Sequence, residues 1–262
     1  MSTITPGEDD TSPQLRTLER GLLILSFFDV EHPDWSFGDI RRKSGLSKAT
    51  AFRFIKKLEA LKYLAHDQQR RTYHLGSSML RAAYLTHTHV ELVRVANPHL
   101  QRLAETLGEA VNIAVWTDQG PLIADAVYAS NAFRPHLFVG VILPGLASAH
   151  SRVFYAHAPE NARLLALLAP QERRTDHTIT DPQRLAEVLV QVKSDGVAHS
   201  VEEWFVGAGA VAAPVFDASG QVKASMGVVA PAERFGPEDR SRCGAAVKQE
   251  AAVLSRDLGW GG

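Results

Sequence analysis

The sequence predicts an α+β protein: an amino-terminal winged helix-turn-helix, a connector helix, and a larger domain built on an antiparallel sheet. Three observations predict it. Between Ser36 and Leu75 two short helical patterns are followed by two strand patterns around a polar turn. Beyond about residue 96, hairpin signals are interrupted by helical ones, the arrangement of an α+β domain. Charge is also unevenly placed: Gln14 to Leu80 carries twelve cations against seven anions, net +5, whereas the whole 262-residue chain is −1.

In chain order, Met1 to Pro13 is polar and acidic, with no basic start and no apolar core, and reads as a disordered tail (1–13) rather than a signal peptide. Leu15 to Phe28 reads as a helix whose stripe of Leu18, Leu22, Leu25 and Phe28 roofs the next elements. Leu22, Ile24 and Phe27 either complete that core or supply a dimer surface; the residues leave both open. Ser36 followed by Asp39 makes a capping-box-like start, Ile40 points inward and Gly45 closes a short helix. Ser47 caps a second helix through Leu61, with Ala51, Phe54, Ile55, Leu58 and Leu61 on one face. Turning each residue by about 100° leaves Ala49, Arg53, Lys56 and Ala60 outside, with Phe52 and Lys57 on the flanks. Tyr63–His66 and Arg71–Leu75 are strands around a basic tip, a wing.

Such a second helix enters a major groove, where Arg reaches guanine edges and Lys reaches phosphates. The candidate contacts to double-stranded DNA are Arg41, Ser47, Lys48, Ala49, Thr50, Phe52, Arg53, Lys56, Lys57, Arg70 and Arg71. Ser47, Lys48 and Thr50 lie at the helix start, whose hydroxyls and free N–H groups suit a phosphate. A charged helix face is ordinarily just solvated, and it is the local +5 that favours DNA.

The winged helix-turn-helix is assigned to 14–76 and the connector helix to 77–95, with the domain boundary near His87, leaving 96–262 as the second domain. There Pro98–Leu107 is a helix closed by Gly108, and Ala110–Trp116 and Leu122–Tyr128 are strands about a turn. Phe133–Val139 is a third strand; Ser148–Tyr155, Asn161–Leu168 and Asp181–Ser194 are helices. Strands Ala210–Phe216 and Val222–Val229 and a last helix Pro237–Leu258 complete it.

The runs LERGLLILSFFD, FGDIRRKSGLSKATAFRFIKKLEALKYL and RRTYHLG resemble the amino-terminal domain of the IclR family of bacterial transcription regulators. VNIAVWTDQGPLIADAV, HLFVGVILPGLASAHSRVFYA, RRTDHTITDP and VAAPVFDASGQVKASMGVVAPAERF resemble that family's effector-binding domain, in the same order. The resemblance implies a GAF/PAS-like sensor domain and a pocket between the sheet and Leu143–Arg152, closed by the loop His199–Glu203. Its matching positions are Leu143, Ala147, Ser148, Ala149, His150, His199, Ser200, Ala210, Met226, Gly227 and Val229. Polar residues common in the family are absent: Ala210 stands for a cysteine, Gly227 and Val229 for serines, Ser200 for an aspartate, and Ser151–Arg152 for Gly–Lys. An emptier hydrogen-bonding set favours an aromatic or short aliphatic acid, or a neutral relative.

The expected function is a ligand-responsive transcription regulator of a catabolic or transport operon, a repressor by the family's commoner use, with an activator as the alternative. Its partners are operator DNA, a small-molecule effector and further copies of itself, as a homodimer or a tetramer. A hydrolase is the remaining alternative, since Ser148, His150 and Ser151, or Asp176 with His177, place hydroxyl, imidazole and carboxylate together. No G-x-S-x-G elbow supports it, and Gly207–Ala212 fits G-x-G-x-x-A but precedes a strand, where no phosphate cradle forms. No cofactor is expected, and His87, His89, His136, His157 and His177 lack a metal-ligand spacing. A lone cysteine, Cys243, suits a reducing cytoplasm, and no apolar run spans a membrane.

Overall fold

Residues 13–29, 32–89, 91–129, 133 and 139–262 are described by the structure, a computed structural model, and they divide into two units, Met1–His89 and Val90–Gly262. The first unit contains α1 (Pro13–Leu25), β1 (Trp35–Ser36), α2 (Phe37–Ser44), α3 (Lys48–Ala60), β2 (Leu64–Asp67), β3 (Thr72–Leu75) and α4 (Ser77–His89). Ser36 opens α2 as the capping pattern requires: its hydroxyl accepts the Asp39 N–H at 3.2 Å and donates to the Asp39 carboxylate at 2.6 Å. Gly45 ends α2 at φ 66°, a left-handed conformation that a side chain would strain. The chain then turns directly into α3. Ile24, Phe27, Ile40, Ile55, Leu64 and Tyr73 form the core under this turn.

Two expectations for this unit are corrected. Helix α1 ends at Leu25, and of the expected stripe only Leu25 and Phe28 pack against the core, beside the buried Ile24 and Phe27, while Leu18 and Leu22 are 58% and 56% exposed. The wing has a third strand: β1 pairs with β3, Trp35 opposite Tyr73, giving the order β1-β3-β2. A two-residue strand carries too little alternation to be read from sequence. The tail expected over 1–13 lies outside the described residues except for Pro13, which begins α1.

The second unit contains α5 (Glu91–Leu107), β4 (Ala110–Thr117), β5 (Gly120–Tyr128), α6 (Ala149–His157), α7 (Glu160–Leu168) and α8 (Pro182–Asp195), then β6 (Ala198–Val201), β7 (Ala208–Phe216), β8 (Val222–Pro231) and α9 (Pro237–Asp257). Its strands form one antiparallel sheet in the order β5-β4-β8-β7-β6. Alternate residues along each strand serve opposite faces. Val211, Ala213, Met226 and Val228 pack with Leu100, Val247 and Leu254 of α5 and α9, while Ala198 and Ala212 pack with Val153, Leu185 and Leu189 of α6 and α8.

Helix α5 runs through Pro98, where the sequence suggested two separate helices. Pro98 removes one helix hydrogen bond, but Leu92, Ala96, His99, Leu100 and Leu103 are all buried along one face, and that burial outweighs the loss. The His99 ring lies 2.7 Å from Glu250 and 3.0 Å from Asp257, which ties α5 to α9. Strand β6 was expected to be loop. The strand expected over 133–139 falls largely outside the described residues; Phe133 and Val139 themselves are not in a strand.

Candidate DNA-binding and effector sites

The geometry of α3 follows from its first turn. Ser47 is extended (φ −60°, ψ 153°) and its hydroxyl accepts the Thr50 N–H at 3.3 Å. The Thr50 hydroxyl sits 2.9 Å from that of Ser47. With Ala51 and Ile55 buried, the helix is held in one rotational setting, and Lys48, Ala49, Phe52, Arg53, Lys56 and Lys57 are all exposed. Lys56 pairs with Glu59 at 2.7 Å, and its ammonium lies 6.0 Å from the centre of the Phe52 ring. Arg53 makes no ion pair among the described residues and is available to an outside partner. Arg41, in the last turn of α2, is also exposed.

At the wing tip the Asp67 carboxylate accepts the backbone N–H groups of Gln69 and Arg70 at 2.9 and 3.0 Å. This folds the turn, with Arg71 at φ 56°, and leaves both arginines exposed. The Arg70 guanidinium approaches Asp34 and Asp67 only to 3.8 Å. Ala49, Phe52, Arg53 and Lys56 therefore share one outward surface of α3, beside a cationic wing.

The effector candidates are arranged quite differently. Ser148 caps α6, its hydroxyl accepting the Ser151 N–H at 3.0 Å, and Ser151 in turn donates to the Leu143 carbonyl at 2.7 Å. Ser200 donates to the Ala147 carbonyl at 2.7 Å. Leu143, Ala147, Ser148, Ala149, His150 and Ser200 are all buried. The His150 ring is 2.8 Å from the Asn112 side-chain oxygen through Nε2 and 3.0 Å from the Ser225 hydroxyl through Nδ1. Complete burial pushes its pKa down to about 4, against a smaller opposing contribution from the backbone of Ser225. The ring is neutral at physiological pH: Nε2 donates to Asn112, and Ser225 donates to Nδ1.

Gly227 explains how that ring fits. A Cβ there would lie 2.8 Å from the His150 imidazole and 2.9 Å from the Val211 carbonyl, so the position admits no side chain while His150 stays. Val229, Ala210 and Leu143 complete the same layer, in an apolar cluster with Ala114, Ile123, Phe154 and Trp204.

Two of the expected positions belong to the other face. Met226 is buried against α5 and α9, and His199 lies opposite Val211 of that same layer, with its ring near the Gly244 position of α9. The two-residue period of a strand requires it, since Gly227 and Ser200, their neighbours, face α6. His199 contributes its carbonyl instead: it accepts from Arg152 at 2.5 Å.

Sequence reasoning missed the group that organises this end of the domain. Arg152 is 2% exposed and makes a two-pronged pair with Glu203, Nη1 to Oε1 at 2.7 Å and Nη2 to Oε2 at 2.5 Å, while its Nε donates to Leu146. Glu203 is held in turn: its carboxylate accepts the Ile179 N–H and its carbonyl accepts the Thr178 hydroxyl. The Arg174 guanidinium stacks 3.8 Å over Trp204. One buried ion pair thus fastens the loop after β6 to α6 and to residues 174–179. Asn112 and Ser225 were missed as well, because each is 38 or more residues from His150.

None of this resembles a hydrolase. The Ser148 and Ser151 hydroxyls are 2.7 Å from each other, and His150 addresses neither. His177 approaches Glu202 at 3.7 Å. Among the described residues there is no group of three metal-ligating side chains, and no helix is long and apolar enough to cross a membrane.

A capped helix with an exposed cationic face beside a wing, in a chain that also carries an α+β unit, is the architecture of a helix-turn-helix transcription regulator. The helix-turn-helix domain of IclR regulators matches residues 17–68, and the IclR carboxy-terminal domain of bacterial transcriptional regulators matches residues 82–256. The chain belongs to the IclR family, whose matched domains are regulatory rather than enzymatic. It is 30% identical over 250 residues to the glycerol operon regulatory protein of Streptomyces coelicolor, covering 94% of this chain and 98% of that one. It is 28% identical over 259 residues to the transcriptional repressor AllR of Escherichia coli K12, covering 97% and 95%. Among solved structures, a transcriptional regulator from Rhodococcus sp. RHA1 superimposes with TM-score 0.80 at 27% identity, covering 93% and 98%. An IclR regulator from Alicyclobacillus acidocaldarius does so with TM-score 0.81 at 22% identity, covering 92% and 98%.

Proposed function

We propose that the chain is a repressor of a catabolic or transport operon, released from its operator by a small organic or aromatic acid or a neutral relative. The observation that carries the reading is the outward surface of α3, where Arg53, with no ion pair among the described residues, stands beside Ala49, Phe52 and Lys56 on a helix fixed by its cap. The name of AllR as a repressor, and of the Streptomyces relative as an operon regulator, supports the direction of control.

The DNA contacts are assigned to Arg41, Ser47, Lys48, Ala49, Thr50, Phe52, Arg53, Lys56, Lys57, Arg70 and Arg71. Two copies of the chain read a palindromic site, and Leu18, Leu22 and Leu23, exposed on α1, are the apolar surface on which they meet. The effector is assigned to the α6 side of the sheet, against Leu143, Ala147, Ser148, Ala149, Ser200, Ala210 and Val229. His150 and Gly227 close that side, so the ligand binds best to the arrangement in which the imidazole has moved. Such unequal binding is what allows a ligand to shift a regulator between states. Residues 77–95 are assigned as the connector that passes the change on.

A gel shift against the DNA upstream of its own gene tests the reading. Binding is expected, and Arg53→Ala should weaken it by roughly 1–3 kcal/mol and relax selectivity at one base pair per half-site. Ser148→Trp should abolish release by an organic acid that releases the parent, with DNA affinity kept. Absence of binding to any duplex would sink the assignment.

A further inference from the structure

The cationic surface of α3 contains one feature that phosphate contacts do not use. Phe52 is 51% exposed, and with Ala49, Phe37, Tyr73 and the stem of Lys48 it lines an almost wholly apolar recess at the helix surface. The Phe37 and Phe52 rings meet edge to face at 6.3 Å, so the exposed ring is held in place by a neighbour. Phe54 and Ile55, two and three residues further along the helix, already serve the core, and Phe52 is not part of it.

What covers this recess is indicated by its surroundings. Lys48 lines it, Lys56 lies 6.0 Å from the Phe52 ring, and Arg53 is the next residue on the helix. An apolar patch ringed by cations repels a second copy of itself and suits a polyanion that presents an apolar group. In the major groove thymine is the base that does so, through its 5-methyl, and small or aromatic side chains are what receive it.

We propose that Ala49 and Phe52 form a thymine-methyl receptor on the recognition helix and set sequence preference at one position of each half-site. This rests on the DNA-binding reading above and adds the base that is read and the group that reads it.

The test removes the methyl and nothing else. Duplexes bound by the full-length protein are selected from a random pool, and each thymine of the selected site is replaced in turn by deoxyuridine. At one position per half-site the affinity should fall about fourfold, the worth of burying one methyl group. Phe52→Ala should bind the thymine and uracil forms equally at that position. If no duplex is selected, the DNA-binding reading fails and this inference with it. If duplexes are selected but no thymine is sensitive, or if Phe52→Ala keeps the full thymine preference, the inference alone is overturned. The uracil series with the parent protein gives its answer whether or not the variant folds.

Discussion

Two arginines summarise the difference between the two units. Arg53 stands in solvent on α3 with no ion pair among the described residues, and Arg152 is 2% exposed, its guanidinium and Nε shared among Glu203 and two carbonyls. A charge left exposed costs the fold little and remains available to a partner. A charge taken out of water is stabilising only while its partners hold it, so it fixes structure and cannot leave without consequence. The first unit carries its chemistry outside, and the second spends its chemistry on holding an interior.

The largest expected effect tests that contrast directly. Glu203→Ala strands the Arg152 guanidinium in a dry environment and should destabilise the second unit by about 3–5 kcal/mol. Arg53→Ala, a surface change, should shift stability by less than about 0.5 kcal/mol. Urea unfolding of the two variants measures both. Replacing the buried pair together, Arg152→Met with Glu203→Leu, should recover most of the loss; comparable losses for Glu203→Ala and Arg53→Ala would break the comparison.

Next in size is a dependence on pH. His150 is held to a pKa of about 4 in the fold against 6.5 when unfolded, so above pH 6.5 both states are neutral and the group contributes nothing. As pH falls from 6.5 toward 4 the unfolded chain takes up a proton that the native ring refuses, and stability should drop by roughly 3 kcal/mol in total. His157 and His199 are also lowered by burial and act in the same direction. Denaturation midpoints measured between pH 7 and 4 should fall, and His150→Gln should flatten that fall. An equally steep variant would show that the imidazole is not the proton acceptor.

A smaller effect concerns the close approach at Gly227. Gly227→Ser puts a side chain where the His150 ring lies and should cost about 1–3 kcal/mol by overpacking. With His150→Ala the part of that cost owed to the ring should be recovered, and a double-mutant cycle measures that coupling. Additive costs would mean that the Val211 carbonyl, rather than the ring, is the obstacle.

The same contrast governs what the sequence disclosed. The α3 surface was legible because everything that fixes it is local: Ser47 as cap, Gly45 as stop, and Ala51 and Ile55 at helical spacing. The interior of the second unit was not, because Arg152 meets Glu203 across 51 residues and His150 meets Ser225 across 75. No spacing rule reaches that far. Strand alternation, however, carries one usable signal: it assigns Met226 and Gly227 to opposite faces, which correspondence with family positions alone does not separate. Leu18 and Leu22 show the reverse failure: they share a helical stripe with Leu25 and Phe28, which pack against the core, yet themselves face solvent in this chain.

The smallest effect expected is at the wing. Arg70 is 74% exposed and its carboxylate neighbours are 3.8 Å away, so Arg70→Ala removes no structural contact of weight and should leave stability unchanged. If the guanidinium meets one phosphate, its loss releases about one fewer counterion on binding, and the slope of log affinity against log salt should become shallower by about 0.9. Because phosphates carry no sequence information, the ranking of operator variants should not change. Affinities measured across a salt series for the parent and the variant give both quantities. A changed ranking at constant slope would move Arg70 from the backbone to a base edge, and the wing would then share in reading the sequence that α3 is proposed to read.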